Sequence, residues 1–135
     1  MTGWTDARPP SLDDLEAIGR DTFSALPDTF RRLCEGVVIQ VVDFPDEETL
    51  DEMGAQSEFD LLGLFRGRGL AHSEATPPTG AHPNMIWLYR RPLLDYWCGG
   101  EDSLRAVVAH VLIHEIGHHF GLSDADMEAI EAQSE

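Results

Sequence analysis

The stretch His114–Asp124 reads HEIGHHFGLSD and carries three histidines, two acidic residues and two glycines. It continues the apolar run SLRAVVAHVLI, whose hydrophobic residues recur at helical spacing. Ser103, or Asp102 before it, suits the start of this helix, and Gly121 suits its end. The sequence therefore predicts a long helix that ends in the motif, followed by a final helix that starts near Ser123 or Asp124.

Two histidines of the motif have the spacing of metal ligands. His114 and His118 are four residues apart, so a helix places both imidazoles on one face, one turn from each other. That arrangement allows both rings to bind one zinc ion. Glu115 directly follows the first histidine, where the carboxylate of an H-E-x-x-H site lies beside the metal and takes a proton from the bound water. We therefore expect His114 and His118 to be zinc ligands and Glu115 to be a general base.

A third protein ligand is needed for a catalytic zinc site. Gly121 allows the chain to turn after the helix, and Asp124 follows three residues later. This spacing is the metzincin pattern H-E-x-x-H-x-x-G-x-x-H with Asp in the last position. Asp124 is therefore the expected third ligand. Two alternatives stay open at this point: Asp124 caps the final helix, or Asp126 or Glu128 takes its place as the ligand.

The remaining residues around the motif fit supporting roles. His119 is rotated about 100° from His118 on a helix, which favours packing or contact with a ligand over metal binding. His110 lies one turn before His114, and three histidines in a row along one helix cannot surround one ion. We interpret His110 as a histidine that packs in the fold or pairs with another side chain. Met127 follows Asp124 too closely for a separate methionine turn and is expected in the core.

Composition limits the partners of this acidic chain. The 135 residues carry a formal net charge of −16, which argues against nucleic acid and anionic membranes, because phosphate groups require clustered Lys and Arg. Cys34 and Cys98 are far apart in the sequence and are expected to be reduced thiols. No basic N-terminal region with an apolar run indicates a signal peptide, so the cytoplasm is the expected location.

Upstream of the motif, the pattern predicts two helices and three strands. A helix follows Ser11 as far as Leu26, and a short one runs from Asp28 to Gly36. The predicted strands are Val37–Phe44, Asp60–Gly67 and Met85–Arg91. An acidic surface segment separates the first two strands, and a long Gly/Pro-rich loop over residues 67–84 separates the last two. This order indicates an α+β domain spanning residues 1–135, in which helices pack on one side of a small sheet and residues 1–10 form a flexible arm.

The segments LLGLFRG, MIWLYRRPL and VVAHVLIHEIGHHFGLSDADMEAI resemble the minimal zincins, small bacterial single-domain metallopeptidase-like proteins with a HExxHHxGxxD signature. The resemblance implies a zincin-like fold with the active helix under a short, twisted, mixed sheet. It also implies zinc on His114, His118 and Asp124, with Glu115 as the general base. The sequence departs from the wider metzincins, because it shows no obvious separate Met-turn and is expected to have almost no room for a C-terminal subdomain after the motif.

Two functions are compatible with these features. In the first, the chain is a zinc metallopeptidase that binds a peptide or protein substrate along an edge strand, expected to be MIWLYRR, and hydrolyses it with a zinc-activated water. Tyr89, Arg90 and Arg91 are candidate donors to the developing oxyanion. In the second, zinc stabilises a protein-interaction module without turnover. An intact Glu115 favours the enzyme.

Overall fold

The computed structural model describes residues 3–67 and 84–133, which form an α+β fold. Six α-helices, one 3₁₀ turn over Arg32–Cys34 and three strands follow one another along these residues. In chain order, the helices and strands are α1 (Leu12–Ser24), α2 (Asp28–Arg31), β1 (Val38–Val42), α3 (Glu47–Glu52), β2 (Gly63–Arg66), β3 (Met85–Tyr89), α4 (Arg90–Cys98), α5 (Leu104–His119) and α6 (Asp124–Gln133).

The two long helices begin where the sequence places their caps. The Ser11 hydroxyl accepts a hydrogen bond from the Asp14 backbone N–H, and the Asp14 carboxylate accepts one from the Ser11 N–H, which makes a capping box for α1. Ser103 caps α5 through its hydroxyl, which accepts from the Ala106 N–H at 3.1 Å. These side chains satisfy N–H groups that have no partner within the helix.

The sheet has the strand order β1-β3-β2, with β1 parallel and β2 antiparallel to β3. Val38 pairs with Met85 on one side of β3, and Gly63 pairs with Leu88 on the other. The expectation that MIWLYRR is an edge strand is therefore wrong. Both edges of β3 are already hydrogen-bonded, and β2 and β1 are the outer strands within the described part of the chain.

The third strand is also shorter than the sequence pattern indicated. Arg90 and Arg91 belong to α4 and not to β3, and Pro92 lies in the first turn of that helix. Proline is accepted there because the first N–H groups of a helix have no partner within it. The Arg90 guanidinium donates to the Pro10 carbonyl oxygen and to Asp43, which ties the end of β3 to the N-terminal segment and to the end of β1.

Helices α1 and α5 pack on the same face of the sheet. One hydrophobic cluster joins Leu15 of α1, Ile39, Ile86 and Leu88 of the sheet, and Met127 of α6, all of them buried. The other face, with Trp87 and Tyr89, borders a cavity of about 460 Å³ next to α3.

Helix α5 approaches β2 closely at Gly63. A Cβ atom built at this position would lie 2.7 Å from Val111 Cγ1 and 2.8 Å from the Trp87 carbonyl oxygen. The glycine therefore has a packing function, because a side chain would force the helix away from the strand.

Residues 68–83 of the predicted loop, including His72 and His82, lie outside the described residues. Within residues 3–67 and 84–133, every helix is too short or too polar for a bilayer crossing.

Candidate metal centre

The turn after α5 brings α6 back against the motif. Gly121 has a φ of 77°, and its N–H donates to the His118 carbonyl while the Leu122 N–H donates to the Gly117 carbonyl. This Schellman pattern satisfies the last carbonyls of α5 and requires a left-handed residue, as predicted for Gly121. Gly117 then allows close contact, because a Cβ atom there would lie 2.6 Å from Met127 Sδ. Met127 is fully buried, which confirms its expected core position.

The two predicted histidine ligands lie side by side on α5. The ring centroids of His114 and His118 are 5.8 Å apart, and the planes meet at 74°. His114 is partly buried and His118 is exposed. One helix turn therefore presents two imidazoles that solvent can reach from the same side.

Glu115 is a partly buried carboxylate beside this pair. Burial raises the pKa of Glu115 above its ordinary value, and the charge of His118 opposes that shift in part. A carboxylate that is poorly solvated has a greater tendency to accept a proton than one in water. This is the electrostatic setting that a general base requires.

A carboxylate that the sequence did not single out binds His114. Oε1 of Glu131, on α6, lies 2.7 Å from His114 Nε2, and Oε2 lies 3.1 Å from His110 Nδ1. The rings of His110 and His114 stack with centroids 4.0 Å apart. Burial raises the pKa of Glu131, but the hydrogen bonds with His114 and His110 outweigh this effect and leave it below its ordinary value. Glu131 is therefore a carboxylate held ionised between two imidazoles.

The helix periodicity contained a signal for Glu131. Met127 was expected in the core, and Glu131 lies one turn after it on the same face of α6. The sequence did not predict how α6 packs on α5. This packing determines which histidines of α5 are in contact with that face of α6.

Asp124 is the first residue of α6 and is exposed. The Ser123 hydroxyl accepts from the Asp126 N–H at 3.1 Å, and the Asp126 carboxylate accepts from the Ser123 N–H at 3.4 Å. Ser123 therefore caps the helix, and the Asp124 side chain takes no part in that cap.

Among the described residues, the three side chains with ligand atoms within 4.8 Å of one another are His110, His114 and Glu131. His118 and Asp124 lie outside that group, so the ligand set of His114, His118 and Asp124 stays a prediction.

The other candidate residues have contacts of their own. His119 packs edge-on against Phe65 of β2, with ring centroids 4.8 Å apart. Arg91 lies over the Phe44 ring, 5.7 Å from its centroid. Burial raises the pKa of Tyr89 to about 12, with further contributions from neighbouring charges that include Glu115, so its hydroxyl stays protonated at neutral pH.

A family model described as zincin-like metallopeptidase matches residues 34–134. The chain belongs to the zincin-like metallopeptidase family. The matched residues include all three strands and the helices α3 to α6. The comparison with curated proteins gave no match to the chain.

Membership of the zincin-like metallopeptidases implies zinc binding, metallopeptidase chemistry, and peptides or proteins as the substrate class. The donor set on α5 and α6 fits a zinc ion, because imidazole nitrogens and carboxylate oxygens are its usual ligands outside cysteine sites. Among the described residues, His110 and His114 on α5 and Glu131 on α6 offer such atoms within 4.8 Å of one another.

Proposed function

We propose that the chain is a zinc-dependent metallopeptidase that hydrolyses peptide bonds with a zinc-activated water. The observation that carries this proposal is the arrangement on α5, where two imidazoles lie one turn apart and a partly buried carboxylate with a raised pKa interacts with the charge of one of them. A structural zinc site has no use for such a carboxylate. The proposed ligands are His114, His118 and Asp124, whose side chain is exposed at the start of α6, three residues after the turn at Gly121.

Glu115 performs the proton transfers in this proposal. When bound, zinc would supply Lewis-acid polarisation and lower the pKa of a coordinated water to about 7. Glu115 takes the proton of the attacking water and later gives it to the leaving amine. The local burial that raises its pKa favours both the acceptance and the temporary retention of that proton.

The edge of β2 is the proposed place for the substrate backbone. Gly63–Arg66 pairs with β3 along one edge only within the described residues, and α5 packs against this strand. An extended peptide can add to such an edge through main-chain hydrogen bonds.

The cytoplasm is the proposed location, and the free thiols Cys34 and Cys98 support a reducing compartment.

The test of this proposal compares wild type with Glu115→Gln on a mixed peptide library, with zinc measured by elemental analysis. We expect both proteins to hold zinc, and we expect the variant to lose hydrolysis by about 10²- to 10⁴-fold, the usual contribution of a general base. Glu101→Gln, which changes an exposed acid outside the site, serves as the matched control. Equal inactivity of zinc-loaded wild type and variant would favour a zinc-stabilised interaction module.

A further inference from the structure

The carboxylate of Glu131 contacts His110 and His114, which are not a pair of zinc ligands in the proposed peptidase site. His110 is not among the proposed zinc ligands, and neither is Glu131, yet both meet at His114. The side chains of His110, His114 and Glu131 are 50%, 22% and 28% exposed, so an ion from solvent can reach all three.

We propose that His110, His114 and Glu131 form a second binding site for a divalent transition-metal ion of the zinc type. Two imidazole nitrogens and one carboxylate oxygen are a common zinc donor set with a fourth position left for water. The ligand atoms all lie within 4.8 Å of one another. The donors come from two helices, so the ion would be held between α5 and α6.

Each histidine already lies about as close to the Glu131 carboxylate as two ligands of one zinc ion lie to each other. Zinc–nitrogen and zinc–oxygen bonds of about 2.1 Å in a tetrahedral site place two ligand atoms about 3.4 Å apart. The His110 Nδ1 to Glu131 Oε2 distance is 3.1 Å, and the His114 Nε2 to Glu131 Oε1 distance is 2.7 Å. Binding of one ion by all three groups would release to solvent the proton that each imidazole shares with the carboxylate, because a ligating nitrogen must be deprotonated.

The shared histidine makes the two sites compete. His114 belongs both to this set and to the proposed ligands with His118 and Asp124. Its Nε2 atom contacts Glu131, and this nitrogen cannot bind an ion on the Glu131 side and a second ion on the His118 side at the same time, because it has one lone pair. Two ions would therefore compete for His114 wherever both sites use Nε2. The second site does not depend on peptidase activity.

The test removes the proposed peptidase ligands and measures what remains. In a His118→Ala/Asp124→Ala variant, zinc affinity is measured by competition with a chromogenic chelator. We expect one zinc to bind still. Adding His110→Ala or Glu131→Gln should weaken that binding by about tenfold or more, since even groups that only support metal ligands contribute about 10- to 100-fold. Adding His119→Gln, a matched change of a histidine outside both sets, should not weaken it.

Two outcomes would overturn the second site. One is a His118→Ala/Asp124→Ala variant that binds no zinc although its far-UV circular dichroism is that of wild type. The other is unchanged affinity after His110→Ala and Glu131→Gln, in which case Glu131 only pins α6 to α5. His118, Asp124 and His110 are exposed, so these variants are expected to fold. The peptidase proposal fails separately, through equal inactivity of wild type and Glu115→Gln.

Discussion

At the scale of single residues, the proposed role of Glu115 as a base and the stability of the fold place opposite requirements on its solvation. A base near the reacting bond benefits from poor solvation, whereas a folded chain loses stability when it buries a charge. The raised pKa of Glu115 records that cost. In the zinc-free protein, burial of this carboxylate lowers the stability of the fold only when the carboxylate is ionised.

We expect Glu115→Gln to be more stable than wild type at pH 7 in the presence of a zinc chelator. Because the folded-state pKa is raised, the wild type has its full stability below the unfolded-state pKa of about 4.3 and loses part of it as pH rises through the folded-state value. The advantage of the variant should therefore vanish towards pH 4. Urea unfolding of both proteins across this range measures the difference. Equal free energies of unfolding at every pH would contradict the assignment of the cost to Glu115.

At the scale of elements, the contact between β2 and α5 positions the motif helix against the sheet. Gly63 permits this contact, since the neighbouring atoms leave no room for a Cβ. A glycine inside a strand usually weakens it, because it has no side chain to pack. The structure shows that its lack of a side chain lets strand and helix approach.

Gly63→Ala should lower the free energy of unfolding by about 1–3 kcal/mol, the usual cost of overpacking a filled core. One of the two close atoms is the Trp87 carbonyl oxygen, which belongs to the backbone and cannot rotate away. Gly99→Ala is the control, because its Cβ would meet its nearest neighbours at an ordinary 3.7 Å. Thermal and urea unfolding would measure both changes. A Gly63→Ala protein as stable as the control would show that α5 can move without loss.

The sequence predicted those elements whose causes are local. Ser11, Ser103 and Gly121 act within a few residues of their own position, and their roles as caps and helix stop were confirmed. The central place of β3 was not predictable in this way, because strand order depends on pairing between distant segments. Glu131 was missed for the same reason, since its partners belong to another helix.

At the scale of the whole molecule, a metal ion bound at either proposed site would connect α5 with α6 and should add to the stability of the fold. At a free zinc concentration of about 100 times the dissociation constant, binding contributes about 2.7 kcal/mol, which for a chain of this size raises Tm on the order of 10 °C. His114→Ala should abolish most of this shift, because His114 belongs to both proposed ligand sets. Scanning calorimetry with zinc and with chelator measures it.

His119→Gln is the matched control for the zinc-dependent shift. His119 neighbours the motif but packs on Phe65, so we expect its variant to respond to zinc as wild type does. A His114→Ala protein that gains as much Tm as the control would mean that neither proposed set binds the metal.

The parallel pairing of β1 with β3 has a consequence for the kinetics of folding. Val38 meets Met85 only after the chain between them, roughly 45 residues, has closed into a loop, and the entropy lost on closure precedes any gain from the ladder. Helices α5 and α6, in contrast, are joined by a four-residue turn and make contacts that are local in sequence. Because non-local contacts slow folding, sheet closure is expected to limit the rate, while the hairpin that carries the histidines forms early. The ligands of the metal centre would then be assembled before the strand that is proposed to receive the substrate.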